Sequence, residues 1–341
     1  MQATSLLHRR RFIAAPAALA TLALGLAGTA TGAFAQQQPA TSAGTFPSGP
    51  VTMVVGWPPG GPSDNVARLI AASMGHALGQ PIIIDNRAGA GGNIGSAAAA
   101  RAKPDGYTIM LATVSSHGLN SALYPKLPYD PIKDFAPVGL ITHSPSVLLV
   151  PADSPFKTVG ELLAAARANP GKLNYGSGGV GSSQHLVGAS FKQVAGVDIT
   201  HIPYKGTAPA MTDLMAGRVD LVITTGAVPF VSSGKVRALA VTSHERMAAL
   251  PEVPTFEQAG VKLYTDSWYG IVAPAGTPRP VLEKLNQALA HAVSDKATQQ
   301  QLMEQGTVPG KPMQLDPFWA FVKNQMPTAA ALVKVSGATA E

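Results

Sequence analysis

The chain carries a glycine-rich segment whose residue types and spacing could bind an anion. In "LNYGSGGVGSSQHL", Gly176, Gly178 and Gly181 follow the pattern G-x-G-x-x-G, between a short apolar run and a predicted helix that begins near Ser182. Such a turn exposes backbone N–H groups and the positive end of the helix dipole. The pattern is also that of dinucleotide-binding turns, and Asp198, 17 residues after Gly181, lies near the place of their ribose-binding acid. The segment therefore predicts an anion site, with a dinucleotide and a simpler anion as alternatives.

A second glycine-rich turn, "GWPPGGPSD", follows the apolar run "VTMVV" early in the chain. We expect Ser63 or Asp64 to cap the helix that comes next, and Gly79 to end it. If the two turns belong to two lobes and face one cleft, their backbone N–H groups could hold a carboxylate between them. The alternative is that these glycines only allow helices to pack closely on strands.

The sequence lacks the patterns of several other chemistries. Its histidines form no H-x-H or H-x-x-x-H pair and cysteine is absent, so we predict no metal site and no thiolate nucleophile. Neither G-x-S-x-G nor G-x-x-x-x-G-K-[ST] occurs. The serines at 177, 182 and 183 lie among glycines, where capping and turn formation compete with any other role. We expect no resident cofactor.

The order of elements predicts two α/β lobes. Strands "VTMVVGW", "PIIIDN" and "GYTIMLAT" alternate with helices, which is typical of a parallel sheet, and the same alternation restarts after a capping box at Thr158 and Glu161. Two extended segments, "FAPVGLITHSPSVLLVP" and "SWYGIVAPAGTP", are predicted to cross between the lobes, and helices are predicted over 281–292, 296–305 and 315–333. We therefore predict one lobe from 51–146 plus 263–341 and a second from 147–262.

The first 35 residues have the features of an export signal. Arg9, Arg10 and Arg11 precede an uncharged run that ends in the A-x-A sequence at 33–35. Arg10, Arg11 and the following Phe12 resemble a twin-arginine signal, with an ordinary secretory signal as the alternative. We expect cleavage near Ala35, a flexible leader over 36–50 and a periplasmic protein. Removing three arginines lowers the net charge from +6 to +3, and no basic run suggests a nucleic-acid surface.

Eight blocks of sequence resemble those of the receptors of tripartite tricarboxylate transporters, the Bug-type periplasmic proteins, and they occur in the order found in that family. They include "GWPPGGPSDNVAR", "IIIDNRAGAGGNIG", "KPDGYTIML", "HIPYKGTAPAMTDLMAGRVD" and "WYGIVAPAGTP". The resemblance implies a type II periplasmic binding protein fold, in which two α/β lobes joined by crossing strands close on a ligand in the cleft. It further implies a monomer that captures a small carboxylate by hinge closure and delivers it to membrane permease subunits.

The resemblance also implies which residues contact the ligand, and it leaves two other functions open. Trp57 stands where such receptors usually carry Tyr or Phe, and Ala88 replaces a proline. The alternatives are an exported NAD(P)-dependent oxidoreductase that uses the glycines at 176–181 and a solute co-sensor for a membrane kinase. The predicted ligand-binding residues are Gly60, Gly61, Ser63, Asp64, Ser115, Ser116, His117, Ser177, Gly178, Gly181, Ser182, Ser183, Tyr204, Lys205 and Gly206.

Overall fold

The computed structural model describes residues 46–338. The predicted signal peptide over 1–35 and the leader as far as residue 45 lie outside the described residues. From Phe46 onward the chain packs on the first lobe, where the Phe46 ring meets the edge of Tyr107 at a centroid distance of 5.2 Å. Between residues 46 and 338, no helix combines the length and the apolar character that crossing a membrane requires.

Eleven strands in this part of the chain form two sheets. In chain order they are β1 Val51–Val55, β2 Ile82–Asn86, β3 Thr108–Thr113, β4 Phe135–Pro145, β5 Val147–Pro151, β6 Asn174–Ser177, β7 Thr200–Pro203, β8 Leu221–Thr224, β9 Val236–Val241, β10 Asp266–Pro274 and β11 Val308–Pro309.

Ten α-helices accompany these strands within residues 46–338. They are α1 Pro62–Leu78, α2 Asn93–Ala100, α3 Asn120–Leu123, α4 Val159–Ala168, α5 Ser183–Ala195, α6 Thr207–Met215, α7 Val228–Ser232, α8 Arg279–Ser294, α9 Lys296–Glu304 and α10 Leu315–Ser336. A 3₁₀ turn over Ala90–Gly92 precedes α2, and a π turn over Ser115–Leu119 precedes α3.

Each sheet is the centre of one lobe. The first sheet has the order β11-β4-β10-β3-β1-β2 and the second has the order β7-β6-β8-β5-β9. Strands β1, β2 and β3 pair in parallel, as do β6, β7 and β8, whereas β10 and β5 run antiparallel to their neighbours. In each lobe the strand before the glycine-rich turn lies between two later parallel strands. Both turns therefore emerge at the carboxyl edge of a sheet, where ligands bind in open α/β folds.

The chain passes from the first sheet to the second at Ser146 and returns in the segment between β9 and β10. Hydrogen bonds join the two passages. The Ser146 N–H donates to Thr242 Oγ1 at 2.9 Å, the Thr242 N–H donates back to the Ser146 carbonyl at 2.9 Å, and Thr242 Oγ1 donates to the Thr265 carbonyl at 2.7 Å. These hydrogen bonds tie the two passages into one short connection between the sheets.

Both faces of each sheet are covered by helices, which explains the long apolar runs of the strands. In the first lobe, α1 and α8 cover one face through Ile70 and Leu285, and α10 covers part of the other through Phe318. A smaller apolar cluster joins the lobes, because Leu119 of the first lobe, Leu186 of α5 and Ala329 of α10 pack together.

The helices mostly follow the sequence prediction, with one correction. The predicted capping box holds: the Glu161 N–H donates to Thr158 Oγ1 and the Glu161 carboxylate accepts from the Thr158 N–H. The prediction that Ser63 or Asp64 caps α1 is wrong, because Gly61 is the N-cap residue and no side chain bonds there. Pro62 starts the helix, since its fixed φ suits the first helical position and it has no N–H to satisfy.

Candidate ligand-binding cleft

The N-termini of three helices meet in the cleft between the lobes. The inner cavity, as we call this space, is lined by Gly61 and Ser63 at the start of α1, by Ser183 and Gln184 at the start of α5 and by Thr207 and Ala208 at the start of α6. No side chain caps α1 or α6. Unbonded N–H groups and three positive dipole ends thus surround one small space, which is an arrangement that favours an anion.

Three serine hydroxyls add donors to the inner cavity. Ser115 follows β3, Ser183 begins α5 and Ser267 lies on β10, and none of the three side chains has a hydrogen-bond partner within residues 46–338. Ser115 and Ser267 are only 2% and 6% exposed. Their hydroxyl oxygens remain accessible from the cavity, so these groups can donate a hydrogen bond to a ligand oxygen.

The walls of the inner cavity carry no charged side chain in the described part of the chain. Besides the groups above, they consist of Trp57, three prolines, Thr113, Val114, Trp268 and Tyr269. Gln184 is held in place because its side-chain amide donates to Thr207 Oγ1 at 3.0 Å and to Thr224 Oγ1 at 3.2 Å. A carboxylate in this cavity would be held by neutral donors alone.

Asp64 lies behind the first turn and does not line the inner cavity. Its side chain is 2% exposed and accepts hydrogen bonds from Arg68 at 2.8 Å, from the Gly60 N–H at 2.9 Å and from Asn86 at 2.9 Å. Burial by itself raises the pKa of Asp64, but these hydrogen bonds outweigh it and lower the pKa below its ordinary value. The ionised carboxylate therefore fixes the shape of the "PPGG" turn.

The glycine-rich turn of the second lobe also has a supporting layer. Ser177 Oγ lies 2.6 Å from His201 Nε2 and accepts the Gly179 N–H at 3.1 Å, and the His185 ring stacks on His201 at 4.3 Å. Burial, together with the neighbouring His185, lowers the pKa of His201 to about 4. Ser182 is the N-cap of α5 and accepts the His185 N–H at 3.2 Å.

The turn after β3 repeats this division between a residue at the cavity and residues behind it. Ser116 bonds back to Thr113, and its Oγ lies 2.9 Å from Nδ1 of His117. His117 is fully buried, its Nε2 has no partner in the described residues, and burial lowers its pKa to about 3. The π turn thus turns Ser115 toward the cavity while its neighbours hold the turn.

A larger outer cavity of about 550 Å³ adjoins the inner one, whose volume is about 30 Å³. Trp57 and Pro58 line both. The lobes touch around the outer cavity: a Cβ at Gly206 would lie 2.7 Å from the Pro58 ring. The lobes are therefore closed on each other here.

The predicted site residues fall into three groups in the structure. Gly61, Ser63, Ser115 and Ser183 line the inner cavity, and Gly178, Tyr204, Lys205 and Gly206 line the outer cavity. The remaining seven line neither cavity and lie in the turns behind them: Gly60, Asp64, Ser116, His117, Ser177, Gly181 and Ser182.

Sequence reasoning missed several residues that line the inner cavity. Thr207 and Ala208 at the start of α6 could have been found, because "KGTAPA" is a third glycine followed by a helix. Ser267 and Trp268 had no local signal, since β10 reaches the cleft only through its antiparallel pairing with β3 and β4.

Comparison with known protein families decides the class of protein. The model of the tripartite tricarboxylate transporter family receptor matches residues 66–337. The chain belongs to this receptor family. The receptor is 45% identical, over 277 residues, to a protein of the tcbD-tcbE intergenic region of Pseudomonas sp. strain P51, which covers 79% of this chain and 81% of that protein. The resemblance inferred from the sequence blocks is confirmed.

Solved structures confirm the periplasmic binding protein fold. The periplasmic binding protein BugD matches the receptor with a TM-score of 0.83 at 37% identity, over 87% of this chain and 100% of its own. An R. palustris protein with adipate matches with a TM-score of 0.83 at 37% identity, over 86% of this chain and 99% of its own. MatC from Rhodopseudomonas palustris with bound malate matches with a TM-score of 0.80 at 37% identity, over 84% of this chain and 100% of its own.

The oxidoreductase alternative is wrong, because this is a family of non-enzymatic solute-binding receptors. The fold gives the physical reason. The glycine-rich turn follows the carboxyl end of β6, whereas Asp198 precedes β7, and the parallel pairing of Asn174 with Thr200 places it at the opposite edge of the sheet. There Asp198 pairs with Lys192 at 2.6 Å, too far from the turn to serve a dinucleotide bound there.

Proposed function

We propose that this receptor captures a small carboxylate, with dicarboxylates included, and delivers it to the membrane permease of a tripartite tricarboxylate transporter. The protein acts in the periplasm as a monomer after cleavage near Ala35. Its lobes are formed by 51–146 plus 263–341 and by 147–262. Relatives of the same family have been solved with adipate and malate, which supports a ligand of this class.

The observation that carries the proposal is the set of neutral donors in the inner cavity. Ser115 comes from the first lobe and Ser183 from the second, and both hydroxyls lack a partner among the described residues. A carboxylate that accepts from both lobes is bound fully only when the cleft is closed. Binding thus stabilises the closed form by the difference in affinity between the two forms, and no covalent chemistry is needed.

Titration calorimetry with malate, succinate and adipate tests this proposal. At least one of these acids should bind, and the melting temperature should rise with its concentration. The double variant Ser115→Ala, Ser183→Ala should bind at least about a hundredfold more weakly, since it removes two hydrogen bonds to a charged group and each contributes about 1.5–3 kcal/mol.

Ser232→Ala is the matched control, because Ser232 is exposed on α7 and lines neither cavity. It should leave the affinity unchanged. The proposal fails if none of the three acids binds, or if the double variant binds its acid as tightly as the control does.

A further inference from the structure

The inner cavity is too small for a whole ligand. A cavity needs about 10–15 Å³ of free volume to hold one group the size of a water molecule. The inner cavity, at about 30 Å³, therefore holds about two such groups, which is the size of one carboxylate. The remainder of the ligand must lie in the adjoining outer cavity. The two adjoin, because Trp57 and Pro58 line both of them.

The walls of the outer cavity are mainly ring surfaces and glycine backbone. The ring-bearing residues that line it are Trp57, Pro58, Tyr124 and Tyr204. The hydroxyls of both tyrosines are already bonded, Tyr124 to the Val180 carbonyl at 3.2 Å and Tyr204 to Asp213 at 2.7 Å. What these residues offer to a ligand is thus the apolar part of their rings. An unbranched, hydroxylated C4 acid would leave most of this space filled with water.

Charge in the outer cavity has one sign. Lys205 is the one charged side chain that lines it within the described residues, and none of the ion pairs between residues 46 and 338 involves this lysine. Lys205 is exposed, so it lies on the solvent side of the outer cavity. A ligand that reaches from the inner cavity past Trp57 would meet a positive charge at its far end.

Trp57 and Ala88 both lie in this wall. Trp57 packs its indole over Gly92, with ring atoms 3.6–3.7 Å from the position of a Cβ there. The flat indole therefore forms part of the surface that the body of a ligand meets.

We infer that the ligand is an aromatic carboxylate with a second acidic group at its far end. Its carboxylate occupies the inner cavity, its ring packs on the indole of Trp57 in the outer cavity, and its second acid group faces Lys205. This inference rests on the proposed function and adds the class of ligand to it. Offset stacking on Trp57 favours a flat ring over an alkyl chain, and the lysine favours a diacid over a monoacid.

Calorimetry with benzene-1,4-dicarboxylate, benzoate, adipate and succinate tests the inference on the mature receptor. We expect the Kd of benzene-1,4-dicarboxylate to be at least tenfold lower than those of adipate and succinate. Its binding should also quench tryptophan fluorescence, and Trp57→Phe should remove most of this quenching while Trp268 and Trp319 remain. Trp57→Ala should weaken benzene-1,4-dicarboxylate by tenfold or more and adipate by less than threefold.

Lys205→Met tests the far end of the ligand separately. It should raise the Kd of benzene-1,4-dicarboxylate by a larger factor than that of benzoate, whereas Ser183→Ala should raise both by similar factors. If adipate or succinate binds as tightly as the aromatic diacid, or if Trp57→Ala weakens both classes equally, the inference is overturned and the proposed function stands. If no acid of the panel binds, the proposed function itself fails.

Discussion

The hydroxyl of Tyr124 in the first lobe donates a hydrogen bond of 3.2 Å to the carbonyl of Val180 in the glycine-rich turn of the second lobe. Tyr124 comes from the segment just after α3, and Val180 lies between the glycines of the predicted anion site. Because the bond spans the cleft, it stabilises the closed arrangement and neither lobe by itself. Closure of the cleft and the shape of the turn therefore depend on each other.

Tyr124→Phe should speed ligand release. One neutral hydrogen bond contributes about 0.5–1.5 kcal/mol, so the Kd should rise about two- to tenfold, mostly through the dissociation rate. Stopped-flow fluorescence with the acid found by calorimetry measures that rate. Tyr107→Phe is the control, since the Tyr107 hydroxyl bonds to Ser48 within the first lobe. Equal dissociation rates in the two variants would show that the Tyr124 bond does not hold the cleft closed.

Gly181→Ala should impair both the turn and its closure on Tyr124. Gly181 has a φ of +81°, and a Cβ there would lie 2.6 Å from the Tyr124 hydroxyl oxygen. We expect at least a tenfold loss of affinity in calorimetry, together with lower thermal stability, because the side chain adds a clash to an unfavourable φ. Gly196→Ala separates the two effects, since Gly196 has a φ of +62° and no atom within 4 Å of a Cβ. It should lower stability by about 1 kcal/mol and leave the affinity unchanged.

Ser182 and Ser183 are adjacent in sequence and should differ in what they control. Ser182 accepts the His185 N–H as the cap of α5, so Ser182→Ala should lower the free energy of unfolding by about 1 kcal/mol in urea titrations. Ser183→Ala should leave that free energy nearly unchanged and weaken carboxylate binding instead, because its hydroxyl faces the inner cavity. If Ser182→Ala loses affinity and Ser183→Ala does not, the ligand is bound by the capping serine and not by Ser183.

The sequence was sufficient to predict the fold, because both lobes follow local rules. Alternating apolar strands and helices, with glycines at the turns, predicted β1 to β3 and β6 to β8 with their parallel pairing. The predicted cap of α1 was wrong because Asp64 lies inside the first turn of the helix and bonds to Arg68 and Asn86. The binding of Asp64 to Asn86, 22 positions away, is a tertiary contact that spacing along the chain does not reveal.

Only some residues of the site could be predicted from the sequence, because others are brought together by tertiary contacts. Its glycine turns have local patterns, so Gly61 and Gly178 could be found. Whether a serine faces the cavity or the turn behind it depends on one residue of register. The π turn brings Ser115 to the cavity and Ser116 behind it, and no pattern in "TVSSHG" distinguishes them. Ser267 reaches the cavity from a strand more than 80 positions after Ser183.

Acid should destabilise the protein through histidines that are held neutral. Burial, with His185 beside it, lowers the pKa of His201 to about 4 from the ordinary 6.5. Below about pH 6.5 the unfolded chain therefore binds a proton that the folded protein does not, and the free energy of unfolding decreases by about 1.4 kcal/mol per pH unit for this group until pH 4. Urea titrations between pH 4.5 and 6.5 measure that slope, and His201→Gln should reduce it by one proton. His143→Gln is the control with the opposite sign, because the hydrogen bond to Asp266 raises the pKa of His143. The contribution of protonated His143 to the free energy of unfolding is complete below pH 6.5 and is lost as the pH rises through the raised pKa. His143→Gln should therefore lower the free energy of unfolding at pH 5 without changing its slope between pH 4.5 and 6.5. An unchanged slope in His201→Gln would mean that His201 is protonated in the folded protein.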